Sequence, residues 1–155
     1  MIVLIVFAGF GEEFGWRGFA LPRVQVAHTA LAASLIIGGF HSLWHIPLFF
    51  IEGVGQHDVA QQIGFLPGFL GYSILVLAGA VQSTWIFNNT KGSVLLVAVY
   101  HGVLNTWAST IDTAGGKLGG IYAYTALLAV VSIVIVVLFG TEHLSRTTRR
   151  VEIAH

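Results

Sequence analysis

The sequence predicts an all-α, polytopic bundle of about five membrane-spanning helices, and three observations carry that prediction. Of 155 residues, 55% are hydrophobic and 9% charged, with mean hydropathy +0.83, whereas a soluble domain is typically about 25% charged. Four apolar runs after Pro22 are long enough, or nearly so, to cross a hydrocarbon core about 30 Å thick. The stretches between them are short and supplied with Gly, Asn and Asp, which favour turns.

Taken in order, Met1 to Phe10 is apolar but lacks the cationic leader and small-residue cleavage site of a secretory signal. It reads as the first part of a retained helix. The four runs that follow are Thr29 to Ile51, Phe65 to Phe87, Ser93 to Ile111 and Ile121 to Gly140, joined by Glu52 to Gly64, Asn88 to Gly92 and Asp112 to Gly120. None of these connections is long enough to be a second domain, and no repeat or low-complexity tract interrupts them. Residues 1–140 therefore read as one transmembrane domain and 141–155 as a polar, basic tail.

Charge narrows the function classes. The formal net charge is zero and the cations are scattered, which lacks the positive footprint that nucleic acid requires. Cysteine is absent, so disulfides, thiolate metal sites and cysteine nucleophiles are excluded. Lys and Arg are retained on the cytoplasmic side of short loops. Arg146, Arg149 and Arg150 then place the C-terminus in the cytoplasm, with Lys91 and the Arg17/Arg23 region on the same side. Glu52, Asp58 and Asp112 fall outside, and Lys117 is the exception.

Three polar constellations interrupt the apolar helices. In Gly11-Glu12-Glu13-Phe14-Gly15-Trp16-Arg17-Gly18, two carboxylates and a guanidinium lie where charge is expensive. Glu13 and Arg17 are four apart and face each other as an ion pair, while Glu12 points about 100° away and is left free. Beside Trp16 it would occupy a low-dielectric pocket, the setting in which a carboxylate serves as a general base. The plainer reading is an ion-pair cluster at a helix end.

His41 and His45 share one helix face, and Pro47 removes the hydrogen bond to the Leu43 carbonyl, freeing a polar group beside His45. Counting about 1.5 Å per residue from a turn near Ala27 brings Glu12 and His45 to similar depth, within about one helical turn. The plainer reading of each histidine is a buried neutral side chain bonded to a neighbouring helix. His101 and Asn105 repeat the four-residue spacing and offer two donors for an oxyanion, or interhelical hydrogen bonds.

Familiar alternatives fail by absence. There is no G-x-S-x-G, Ser42 stands where H-E-x-x-H needs its Glu, and the only Asp in a span is Asp112, at an edge. What remains is water activated by Glu and His, with or without a metal.

These motifs resemble the CAAX-prenyl-protease type II and bacteriocin-processing family (CPBP, or Abi) of intramembrane proteases. Its pattern is E-E-x-x-x-R, an aromatic with histidine four residues on, and H-x-x-x-N. Glu12-Glu13-Phe14-Gly15-Trp16-Arg17 matches the first motif and His101 with Asn105 the third. His45-Ile46-Pro47 fits the second, although the position four before His45 is His41, with Phe40 one residue earlier.

The resemblance implies an intramembrane, glutamate-dependent endopeptidase in which Glu12 and His45 activate water, His101 and Asn105 stabilise the oxyanion, and Glu13 and Arg17 support them. It implies a membrane-associated peptide or lipidated protein as substrate, of CAAX or bacteriocin type, and a polar cavity open to the cytoplasm. No cofactor is expected; the zinc version of the chemistry would use Glu12, His45 and His101, with His41 as an extra ligand. A non-catalytic scaffold or bacteriocin self-immunity factor using the same cavity is the alternative function. The expected location is the plasma membrane, and an odd helix count, leaving Met1 outside, reads as a fragment or as a member lacking the family's earlier helices.

Overall fold

The computed structural model describes residues 9–113 and 117–146, with side chains at all of these but 112, 113 and 117. The described residues form helices and turns without strands. The first helix, α1, covers residues 9–24. Its middle, Phe14–Ala20, widens into a π-helix, and its end, Leu21–Val24, returns to α geometry. Then come α2 (Ala30–Trp44) with a 3₁₀ extension (Ile46–Phe50), α3 (Gly55–Ile63), α4 (Phe65–Asn89), α5 (Val94–Thr113) and α6 (Lys117–Phe139).

Four stretches are long and apolar enough to cross a membrane: Ala30–Phe50, Phe65–Asn89, Val94–Ile111 and Leu118–Phe139. They coincide, within a few residues, with the four runs read from the sequence. The expected first span begins in residues 1–8, outside the described residues. The connection from Glu52 to Gly64 is not a plain loop, because it contains α3. That helix is polar (Gln56, His57, Asp58, Gln61, Gln62) and buries no residue, so hydropathy alone does not reveal it.

The central element is α4, which touches α1, α2, α3, α5 and α6. Its approach to α2 depends on Gly38: a Cβ there would lie 2.9 Å from the Ala80 Cβ, closer than packed carbons tolerate. The outer faces stay apolar, with Phe50 67% and Val137 76% exposed, as expected where lipid is the solvent. Several polar side chains inside the bundle are bonded. Gln82 donates to the Leu128 carbonyl (2.8 Å) and to Ser132 Oγ (3.0 Å), and it accepts from the Tyr100 hydroxyl. One amide thereby ties α4, α5 and α6 together.

The two ends of the bundle differ. At one end Gly140 (φ +73) terminates α6 and the chain turns back. The Thr141 and Glu142 carbonyls accept from Leu31 and Ala30 N–H, while the Thr29 hydroxyl accepts from Ala32 N–H. Three otherwise unpaired donors of the α2 N-terminus are thus satisfied. Asn88 and Asn89 hold the His143 and Leu144 carbonyls, and Leu144 is fully buried. The segment expected to be a polar tail therefore begins as a packed strap; residues beyond 146 lie outside the described ones. At the other end, Phe49 packs on Phe65 and Phe69, His57 bonds the Phe49 carbonyl, and Gly71 abuts Tyr122.

Candidate active site

A cavity of about 610 Å³ runs from the middle of the bundle toward the α3 end. Its walls include all six site residues anticipated from the motifs, Glu12, Glu13, Arg17, His45, His101 and Asn105, and also His41.

From α1 come the two carboxylates and the guanidinium. Arg17 donates to Glu13 Oε1 at 2.9 Å, with the side chains 3% and 0% exposed, so the four-residue pairing forms even though the helix is π-widened here. Such widened turns are frequent at functional sites. The same Glu13 oxygen accepts from His101 Nδ1 at 2.7 Å. Glu13 Oε2 and Arg17 Nε are buried and have no hydrogen-bond partner among the described residues.

From α2 come the two histidines. His41 Nε2 lies 2.9 Å from Glu12 Oε2, and a carboxylate can only accept, so His41 donates. His45 Nδ1 lies 2.8 Å from the His41 carbonyl, which also can only accept. The His45 proton is therefore on Nδ1, and Nε2 keeps a lone pair. At Pro47 the α-helix gives way, α2 ending at Trp44 and the chain continuing as a 3₁₀ turn. The carbonyl that the His45 side chain bonds is that of His41, one turn back, rather than the Leu43 carbonyl expected from Pro47.

The helical count aligned Glu12 with His45; the structure pairs Glu12 with His41, one turn nearer the start of α2. The difference has a physical source. The π-helix and Pro22 change the rise of α1, on which the count depended. From α5, His101 turns Nε2 toward Glu12 Oε2 at 3.9 Å, too long for a direct hydrogen bond. Asn105 lies one turn beyond, exposed and without a side-chain hydrogen bond to a described residue.

Tyr72 of α4 was not evident from the sequence. Its ring packs against His45 (5.3 Å between centroids) and Phe49 (5.7 Å), closing the site from the third side. A lone tyrosine in an apolar run gives no signal of this role.

Among the described residues, one group of three could hold a metal ion: Glu12, His41 and His45, whose ligand atoms lie within 4.8 Å of one another. This differs from the set read from the sequence by exchanging His101 for His41, since Glu13 tethers His101. Nitrogen and oxygen donors of this type suit zinc.

Residues 1–107 match the family model "Type II CAAX prenyl endopeptidase Rce1-like", a segment that ends just past Asn105. The chain belongs to this family. A relative is CAAX prenyl protease 2 of Methanococcus maripaludis, 30% identical over 105 residues, which are 68% of this chain and 38% of the relative. The chain thus spans well under half the length of that relative. The matched part contains α1, α2, α3, α4 and most of α5, the helices that contribute nearly all the polar residues of the cavity.

Proposed function

We propose that the chain is an intramembrane endopeptidase that hydrolyses a peptide bond of a membrane-associated protein or peptide, of CAAX or bacteriocin type, with water activated by Glu12 and His45. The observation that carries this reading is the position of Glu12 inside a bilayer-embedded cavity, oriented by a donated hydrogen bond from His41. Glu12 keeps one carboxylate oxygen without a partner, and His45 keeps the Nε2 lone pair. Water held between them loses a proton to Glu12 as its oxygen attacks the scissile carbonyl carbon. The Asn105 amide and His101, whose Nδ1 donates to Glu13, stabilise the oxyanion. Collapse of the tetrahedral species breaks the C–N bond, and the proton held by Glu12 passes to the departing amine.

This chemistry needs no ion; were one bound, Glu12, His41 and His45 would hold it and it would supply a more acidic water. The enzyme resides in the cell membrane with its C-terminal end in the cytoplasm. Purified protein in lipid nanodiscs should cleave a membrane-anchored peptide, and Glu12→Gln, His45→Ala or His101→Ala should each end turnover while insertion and folding persist. Full activity in all three variants would discard the mechanism. A Glu12→Gln strain that still resists a cognate peptide would favour the non-catalytic immunity role.

A further inference from the structure

Buried hydroxyls within the described helices follow one habit, and Ser83 of α4 breaks it. Ser34, Ser42, Thr84, Thr125 and Ser132 each donate to the carbonyl four residues back, a bond that satisfies a helical hydroxyl without water. Ser83 is 3% exposed and lines the cavity, yet its hydroxyl makes no hydrogen bond with a described residue.

Two more unpaired atoms lie at the same level. The single bond from Arg17 to Glu13 Oε1 leaves Glu13 Oε2 and Arg17 Nε buried without a partner among the described residues. Leu21, Phe87 and Val97 pack in one apolar cluster, and they stand four residues from Arg17, Ser83 and His101, respectively, about one turn along α1, α4 and α5. Three helices that meet in that cluster therefore present Arg17, Ser83 and His101 in the adjoining layer. Glu13 is bonded to both Arg17 and His101, and α4 touches the π-widened turn that carries Arg17. All four residues line the cavity.

We infer that this layer is a water-binding pocket that supplies the hydrolytic water to Glu12. A buried water makes about three hydrogen bonds, and the three atoms form a matched set. Arg17 Nε donates to the water oxygen, Glu13 Oε2 accepts one of its protons and Ser83 Oγ accepts the other. The Glu13 carboxylate disfavours an anion here and the Arg17 guanidinium a cation, so the ligand is neutral, and three nearly inaccessible side chains admit only a small one. The need for it is chemical. Each peptide bond cut consumes one water, whose hydroxyl joins the acyl carbon and whose remaining proton leaves on the amine, while Leu75, Val76 and Leu104 make much of the cavity wall apolar. His101 links the pocket to the base, with Nδ1 on Glu13 and Nε2 3.9 Å from Glu12 Oε2. The supply role rests on the proposed proteolysis; the binding of water does not.

A crystal structure of the protein grown in a lipid mesophase, at a resolution that orders water, should show a water within about 3.2 Å of Arg17 Nε, Glu13 Oε2 and Ser83 Oγ. A Ser83 hydroxyl turned back onto the Gly79 carbonyl, or no water at these atoms, overturns the site. In nanodiscs, Ser83→Ala should lower kcat about 2- to 10-fold, the effect of one lost hydrogen bond, with KM and Tm unchanged. The loss should grow as sucrose lowers the water activity, a dependence that a packing defect does not produce, and Ser83→Thr should restore the parent rate. A Ser83→Ala kcat equal to the parent's at every water activity overturns the supply role. A parent protein inactive on every anchored peptide counts against proteolysis, and the crystallographic water then decides the site by itself.

Discussion

Replacing His41 by phenylalanine separates the orientation of Glu12 from everything else that His41 does. The ring at this position packs between Trp16 (5.1 Å between centroids) and His45 (4.8 Å), and phenylalanine preserves that volume. What disappears is the 2.9 Å donor to Glu12 Oε2, between side chains 6% and 18% exposed. A hydrogen bond to a charged group contributes about 1.5–3 kcal/mol. If that energy holds the carboxylate in the geometry needed for water activation, its loss lowers kcat by about 10- to 150-fold. KM should change by less than about twofold, because His41 acts through Glu12 and not on substrate. Steady-state cleavage of an anchored fluorogenic peptide in nanodiscs measures both constants. A kcat within twofold of the parent protein would refute the orienting role. A loss as complete as that of Glu12→Gln would make His41, and not His45, the residue in contact with the reacting water.

Other perturbations test the supporting structure. Glu13→Ala leaves the Arg17 guanidinium buried without its counterion and should destabilise the fold by about 3–5 kcal/mol, seen as a lower unfolding midpoint in denaturant-titrated detergent. Gly38→Ala places a methyl 2.9 Å from the Ala80 Cβ and should cost about 1–3 kcal/mol through overpacking, with a fall in Tm as the readout. Asn89→Ala removes a bond to the Leu144 carbonyl and an acceptor for Ser145, costing about 1 kcal/mol, and should increase proteolysis near residue 145 in detergent. Exhaustive chelation should leave cleavage unchanged and purified protein should contain far less than one zinc per chain; activity that vanishes on chelation and returns with Zn²⁺ would transfer Glu12, His41 and His45 to a metal centre.

The helices were legible because a bilayer imposes a length and a polarity on every span, and the four runs stand out against short, turn-rich connections. The polar residues of the cavity were legible for the same reason, since Glu12, Glu13, Arg17, His41, His45 and His101 are costly inside lipid unless they partner one another. What the sequence did not contain is rotation and rise. A one-turn error, introduced by π-widened α1, is enough to exchange His45 for His41 as the neighbour of Glu12. Tyr72 and α3 escaped for a different reason. An aromatic in an apolar helix and a polar nine-residue helix in a loop carry no periodic signal, and only packing places them against His45 and over the cavity.

The arrangement also explains how so many ionisable groups coexist in the bundle. Arg17 and His101 meet on one oxygen of Glu13, His41 donates to Glu12, and the His41 carbonyl receives the proton of His45. Each contact fixes a donor and so determines which atoms remain unengaged: one oxygen each of Glu12 and Glu13, Nε of Arg17, Nε2 of His45 and Nε2 of His101. A buried polar cluster kept only for stability would gain from satisfying those atoms too, because an unpaired polar group in a low-dielectric site is expensive. Here the unpaired atoms belong to residues lining one cavity. The cost is the one expected of groups held ready for water and a peptide carbonyl. His41→Phe and Glu13→Ala therefore test two halves of one device, the first acting on rate and the second on stability.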